Sequence, residues 1–103
     1  MSETVVILPT KDQFLEHVDS KFKARLDDGQ VFDFHFFKLD TTISNNIQEA
    51  FSLLFRAPLE MPPFQNMFHL QHERLGEMDL FLVPVRKKED CLVFEAVFNR
   101  LLV

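Results

Sequence analysis

Residues 68–85 limit the possible folds more than any other stretch. Phe68, Leu70 and His72 alternate with His69, Gln71 and Glu73, Arg74-Leu75-Gly76-Glu77 supplies a turn, and a second strand runs from Met78 to Pro84-Val85. A period of two sends successive side chains to opposite sides of a sheet, a pattern a helix cannot satisfy. The second arm, Leu80-Phe81-Leu82-Val83-Pro84-Val85, is the longest apolar run and has no charge. It therefore predicts a strand covered on both faces at the centre of a sheet, with residues 51–55 and 91–99 as its companions.

The same period recurs along the chain. Phe22, Ala24 and Leu26 alternate with Lys23 and Arg25, Asp27-Asp28-Gly29-Gln30 forms a tight turn, and Phe32, Phe34 and Phe36 then face one way with Asp33 and His35 opposite. Asp-Gly tolerates the positive φ that such hairpins need. Phe37 and Leu39 fall on the other parity, which predicts a bend or bulge there. Residues 40–46 are polar and predict a loop, and residues 47–55 predict a strand. Pro58, Pro62 and Pro63 mark residues 57–64 as a connection, because proline has no amide hydrogen for a ladder. Residues 86–90 read as a charged turn before a last strand that sets Leu92, Phe94, Ala96 and Phe98 on one face.

One helix precedes these strands. Thr10 and Gln13 form a capping box, Phe14, Leu15 and Val18 make an apolar stripe, and the helix is expected to end near Asp19-Ser20. Ahead of it, residues 4–8 are strand-like and stop at Pro9, so residues 1–9 read as an edge strand or extension. The expected fold is mainly β: a small antiparallel barrel or curled sheet of about six strands, with the short N-terminal helix plugging an end or covering an edge.

A chain of 103 residues is one domain, since two cores of half that size would be marginal. Thirteen Phe with no Trp or Tyr supply bulk without polar tips, suited to a dry interior. The net charge of −5 argues against a nucleic-acid partner, and Glu89-Asp90 offsets most of the one basic cluster, Arg86-Lys87-Lys88. Cys91 is the only cysteine, which leaves no internal disulfide or thiolate zinc site, and its place beside an apolar strand predicts a buried thiol. The sequence contains no secretory leader pattern and no run of about 18 apolar residues. A soluble chain, cytoplasmic as encoded and without a membrane partner, is the expectation.

Catalytic and metal readings find little support in these residue patterns. His69 and His72 on a strand face opposite ways and cannot share a metal, and His17 and His35 read as surface or strand positions. The acid pairs Asp27-Asp28, Glu77 with Asp79, and Glu89-Asp90 all fall in or beside turns. Ser52 lacks the glycine-framed elbow of a serine hydrolase, and Gly29 and Gly76 alone cannot make a phosphate loop. No cofactor is expected.

Arg56 and Glu95 interrupt apolar strands, and a buried acid calls for a cationic partner, so they are expected either to form a buried ion pair or to lie exposed together on the outer barrel face. Phe37, Leu54, Phe81, Val83, Val93 and Val97 occupy second faces that a single core would leave wet. Either the N-terminal segment and the proline-rich connection cover them, or they form a candidate interaction face for another protein or a second copy. Arg100-Leu101-Leu102-Val103 is similarly apolar for a chain end.

Three stretches taken together carry a resemblance: Phe51-Ser52-Leu53-Leu54-Phe55-Arg56-Ala57-Pro58, then Leu75-Gly76 through Leu80-Phe81-Leu82-Val83-Pro84-Val85, then Phe94-Glu95-Ala96-Val97-Phe98-Asn99. The chain resembles a family of small bacterial domains of unknown function. It departs from that pattern at Phe94, where a Tyr is expected, and at Phe64-Gln65-Asn66-Met67, where relatives tend to carry a glycine. The resemblance implies a β-rich fold, provides no catalytic residues, and implies an accessory or assembly role beside phage-tail-like or surface-fibre proteins. The leading expectation is a non-enzymatic protein-interaction module; the alternatives are a small-molecule-binding barrel and, third, a hydrolase using Ser52 with a histidine.

Overall fold

The computed structural model describes residues 8–102. Its elements run α1 (Lys11–Leu15), β1 (Ser20–Arg25), β2 (Val31–Ser44), β3 (Gln48–Ala57), β4 (Asn66–His72), β5 (Gly76–Lys87) and β6 (Leu92–Leu101). The six strands close into an antiparallel barrel in the order β1-β2-β3-β6-β5-β4, with β4 returning to β1. Most of the edge strand or extension read at residues 1–9 lies outside the described residues; of those described, Pro9 is buried and Leu8 half-buried.

Closure follows from the alternation. Each strand turns one side chain in two inward, and Phe22, Phe34, Phe36, Phe51, Phe55 and Phe94 have no exposed surface. Phe22 meets Phe55 edge-on at 5.4 Å between ring centroids, Phe34 stacks on Phe94 at 5.4 Å, and Phe51 lies parallel to Phe98 at 4.8 Å. Offset and edge contacts of this kind add to the gain from apolar burial. The interior is filled with rings.

Both ends are plugged. Thr10 Oγ1 accepts from the Gln13 amide and the Gln13 side chain accepts from the Thr10 amide, so the expected capping box forms and starts α1. The helix is shorter than expected, and Leu15, predicted on its apolar stripe, is 46% exposed. Only Phe14 of α1 is buried, against Phe36, Phe51 and Phe98. At the other end the proline-rich connection drops Met61 into the core.

Three expectations are corrected by barrel geometry. β5 is not covered on both faces: Phe81 and Val85 are each 49% exposed, because a barrel wall has one inside and one outside. β3 lies beside β2 and β6 rather than beside the 68–85 hairpin. Residues 40–44, read as loop, continue β2, paired with β3 as far as Ser44↔Glu49, because backbone pairing holds a polar strand that side chains alone would not specify. The β4–β5 turn also ends earlier than expected, with β5 starting at Gly76.

Bulges reset the parity. Pairing passes from Phe36↔Phe55 to Lys38↔Leu54, leaving Phe37 as the extra residue on β2. Similarly, Pro84↔Phe94 is followed by Arg86↔Val93, leaving Val85 extra on β5, beside a proline that has no amide to give. Leu39 then packs against the core although it is out of phase with Phe36.

Candidate functional site

The bulges matter because both add an apolar side chain to the outside of the barrel on opposite borders of one groove. Phe37 from β2 and Val85 from β5 flank Leu54 of β3 and Val93 of β6, and the groove encloses about 300 Å³. Strand pairing sets the rows across it: Arg56 and Arg86 lie on either side of Val93, and Lys38 and Glu95 on either side of Leu54. Val93 is only 5% exposed, since long side chains on neighbouring strands cover outward apolar surface with their stems.

The rim is basic. Lys38, Arg86 and Lys88 line the groove with a single acid, Asp40, which sits 3.4 Å from the Lys38 ammonium. The Arg56 guanidinium lies over the Phe37 ring, 4.2 Å from its centroid. A cation held against a ring face is attracted by the ring quadrupole and keeps its outer edge free for hydrogen bonding.

The expected buried ion pair between Arg56 and Glu95 does not form. Arg56 is exposed and paired in register with Val93, while Glu95 is paired with Leu54, two positions away along β6. Arg56 turns to Phe37 and to His35 Nδ1, 3.4 Å from one guanidinium nitrogen. The predicted interaction face is divided by the same geometry. Phe37, Leu54 and Val93 share the groove, Val83 stands beyond Glu95, and Phe81 and Val97 lie on a separate opening between β5 and β6.

The histidines separate by strand face as the sequence reading requires. His69 points outward, its Nδ1 2.9 Å from Asp79 and its Nε2 3.0 Å from Glu77. Hydrogen bonds to these two carboxylates raise its pKa above the usual imidazole value. His72 points inward, 5% exposed. Its Nδ1 accepts from the amides of Arg74 and Leu75, each at 3.0 Å, which places its proton on Nε2. That Nε2–H then donates to Ser20 Oγ at 2.8 Å, and the Ser20 hydroxyl donates to the His17 carbonyl. Burial, and next the facing His17, push the His72 pKa down.

Sequence reading had not picked out this Ser–His pair, although the inward parity of Phe68, Leu70 and His72 pointed to a buried imidazole. The pair is polarised the wrong way for nucleophile activation: His72 donates to the serine instead of accepting from it. Ser52, the serine singled out from sequence, sits on β3 opposite Asp40 and Val97. Among the described residues, no group of three or more His, Cys, Asp or Glu side chains is placed to hold a metal ion.

One further cavity opens at the mouth beside the proline-rich connection. It measures about 230 Å³ and is lined by Leu26, Met61, Pro62, Phe64 and Phe68 with Asp27, Asp28 and Asn66.

Comparison with family models matches residues 9–98 to a domain of unknown function, DUF6916. The chain belongs to this family. The match takes in α1, β1 to β5 and β6 as far as Phe98. No curated protein and no solved structure matches this DUF6916 chain. Among its described residues, no helix is long and apolar enough to cross a membrane.

Proposed function

We propose that this domain is a non-enzymatic protein-interaction module, and that its partner presents an acidic segment with interleaved apolar side chains to the groove between Phe37 and Val85. The observation that carries this reading is the pairing of an apolar floor, Phe37, Leu54, Val85 and Val93, with a rim of Lys38, Arg86 and Lys88 on a chain whose net charge is −5. A basic rim on an acidic chain is a local field that selects against most of the chain's own surface and for an opposite one. Apolar contact supplies affinity, and the rim supplies register. An assembly setting such as a phage-tail-like or surface-fibre system rests on the family resemblance.

Fluorescence polarisation with two synthetic probes tests it: a peptide alternating Glu with Leu and a matched one alternating Lys with Leu. The acidic probe is expected to bind with an affinity that falls as salt rises, and Lys88→Glu is expected to weaken it about tenfold. Leu54→Asp removes the floor by a separate route. Equal binding of both probes, or wild-type binding by both variants with unchanged folds, overturns the reading.

A second reading, small-molecule binding, draws on the cavity beside Met61 and Phe64. Its volume lies below the roughly 300 Å³ at which pockets for such ligands begin, and the barrel interior is occupied by phenylalanines. The outer groove is therefore preferred.

A further inference from the structure

The plug at the Met61 end of the barrel leaves a hole of side-chain size. The β1–β2 turn and the proline-rich connection meet there around the cavity of about 230 Å³, with Leu26, Met61, Phe64 and Phe68 as apolar walls and Asp27 and Asp28 beside them. The Met61 amide donates to the Pro58 carbonyl at 3.1 Å and the Phe64 amide to the Pro62 carbonyl at 2.9 Å, so the connection turns twice. Met61 is thereby buried to 1% exposure, while Phe64 returns to the rim at 69%. Pro62 and Pro63 restrict the backbone ahead of Phe64, so little freedom remains to be lost when a partner packs against that ring.

The tight turn holds the acids in place. The Asp28 carboxylate accepts from the Gln30 backbone amide at 3.0 Å and, on its other oxygen, from the Gln30 side-chain amide at 2.6 Å. Asp27 stands exposed between Asp28 and the cavity wall at Leu26. Arg25, with His69 and Asp79, lines an adjoining outer cleft that shares Asp27, whereas the cavity itself is lined, among the described residues, by two acids and no cation. A volume below roughly 300 Å³ is small for a whole ligand and sufficient for one long side chain. An apolar slot edged by carboxylates matches an unbranched stem with a cationic tip, which is the form of lysine. A guanidinium is the poorer match, because it favours a carboxylate with both oxygens free and Gln30 already engages both oxygens of Asp28.

We propose that this cavity receives a lysine side chain presented by a partner protein, its stem packed on Leu26, Met61, Phe64 and Phe68 and its ammonium drawn to Asp27 and Asp28. The face of the Phe64 ring adds attraction for a cation beside it. The site shares no lining residue with the groove between Phe37 and Val85 and selects the opposite charge. It stands whether or not that groove binds an acidic segment.

NMR titration of the full-length isotope-labelled chain tests it, with Nα-acetyl-lysine N-methylamide as the probe and Nα-acetyl-norleucine N-methylamide as its neutral counterpart. The lysine probe is expected to shift the Met61 methyl and Phe64 ring signals and to bind about fivefold more tightly than the norleucine probe, by a margin that shrinks as salt rises. Phe64→Ala, a change at an exposed ring, is expected to weaken the lysine probe about fivefold, and Asp27→Asn about threefold. No shift at Met61 and Phe64, equal binding of the two probes, or unchanged binding by both variants overturns the proposal. Shifts from n-pentylammonium with none from the lysine probe overturn it in favour of a free amine.

Discussion

His69 and His72, on one strand and three positions apart, are pushed in opposite directions by its two faces: two carboxylates hold the proton on His69, and burial drives it off His72. The sign of each contribution to stability follows from linkage. The His72 contribution is fully present above the unfolded value of 6.5 and is lost as pH falls through its lowered folded value. The His69 contribution is fully present below 6.5 and is lost as pH rises through its raised folded value. NMR titration of the ring protons is expected to place the His69 midpoint above 6.5 and the His72 midpoint below it. In a His69→Gln background, the share of stability set by His72 should decline from about pH 7 toward pH 5. A His72 midpoint equal to or above that of His69 would contradict the assigned tautomer and its hydrogen bonds.

Glu95→Gln is expected to leave stability within about 0.5 kcal/mol of the parent, as for a surface change. Arg56 belongs to Phe37 rather than to Glu95. A double-mutant cycle with Arg56→Ala and Phe37→Ala is therefore expected to show a coupling of about 0.5–1 kcal/mol, the range for a cation and ring at a partly exposed site. A larger coupling in the Arg56 and Glu95 cycle, measured by urea denaturation, would reverse the assignment.

Phe98→Ala is expected to cost about 3–5 kcal/mol, because it removes a ring stacked on Phe51 and touching Phe14 inside a filled barrel. Phe64→Ala makes the same chemical change at a site 69% exposed and is expected to shift stability by less than about 0.5 kcal/mol. Equal losses in parallel chemical melts would mean that the connection, and not the interior, carries the aromatic packing.

Asp19 adopts a φ of 70°, a left-handed conformation between α1 and β1, while its amide donates to the Phe36 carbonyl at 2.7 Å. Asp tolerates that region and a β-branched residue does not. Asp19→Val is expected to lower stability by about 1–2 kcal/mol. Asp19→Asn, which keeps the backbone and removes the charge facing His35 at 3.3 Å, is expected to cost less. Thermal melts of the two variants separate backbone strain from the surface contact between Asp19 and His35.

The strands were legible wherever one face is greasy and the other wet. The Asp27-Asp28-Gly29-Gln30 turn, with Gly29 at a φ of 89°, joins two strands whose parity matches the register Phe22↔Phe34 and Ala24↔Phe32. The capping box was equally readable, because it depends on residues three positions apart. Residues 40–44 were missed as strand since their pairing to β3 is made by backbone atoms, which no side-chain pattern records. The groove was read only in part: Phe37, Leu54 and Val93 stood out as surplus apolar positions and Arg86 and Lys88 as members of a basic cluster, while Val85, Lys38 and the meeting of these residues in one groove did not.

Period-two alternation and thirteen phenylalanines without a polar tip determined by themselves that this chain builds an antiparallel sheet around a dry aromatic core. Those properties are local, set by side-chain direction and by the free energy of burying rings. Tertiary structure decided which strands are neighbours, where Phe37 and Val85 bulge outward, and that Arg56 lies on Phe37. Closing a sheet fixes register and curvature for all strands at once, so these relationships depend on residues far apart in the chain.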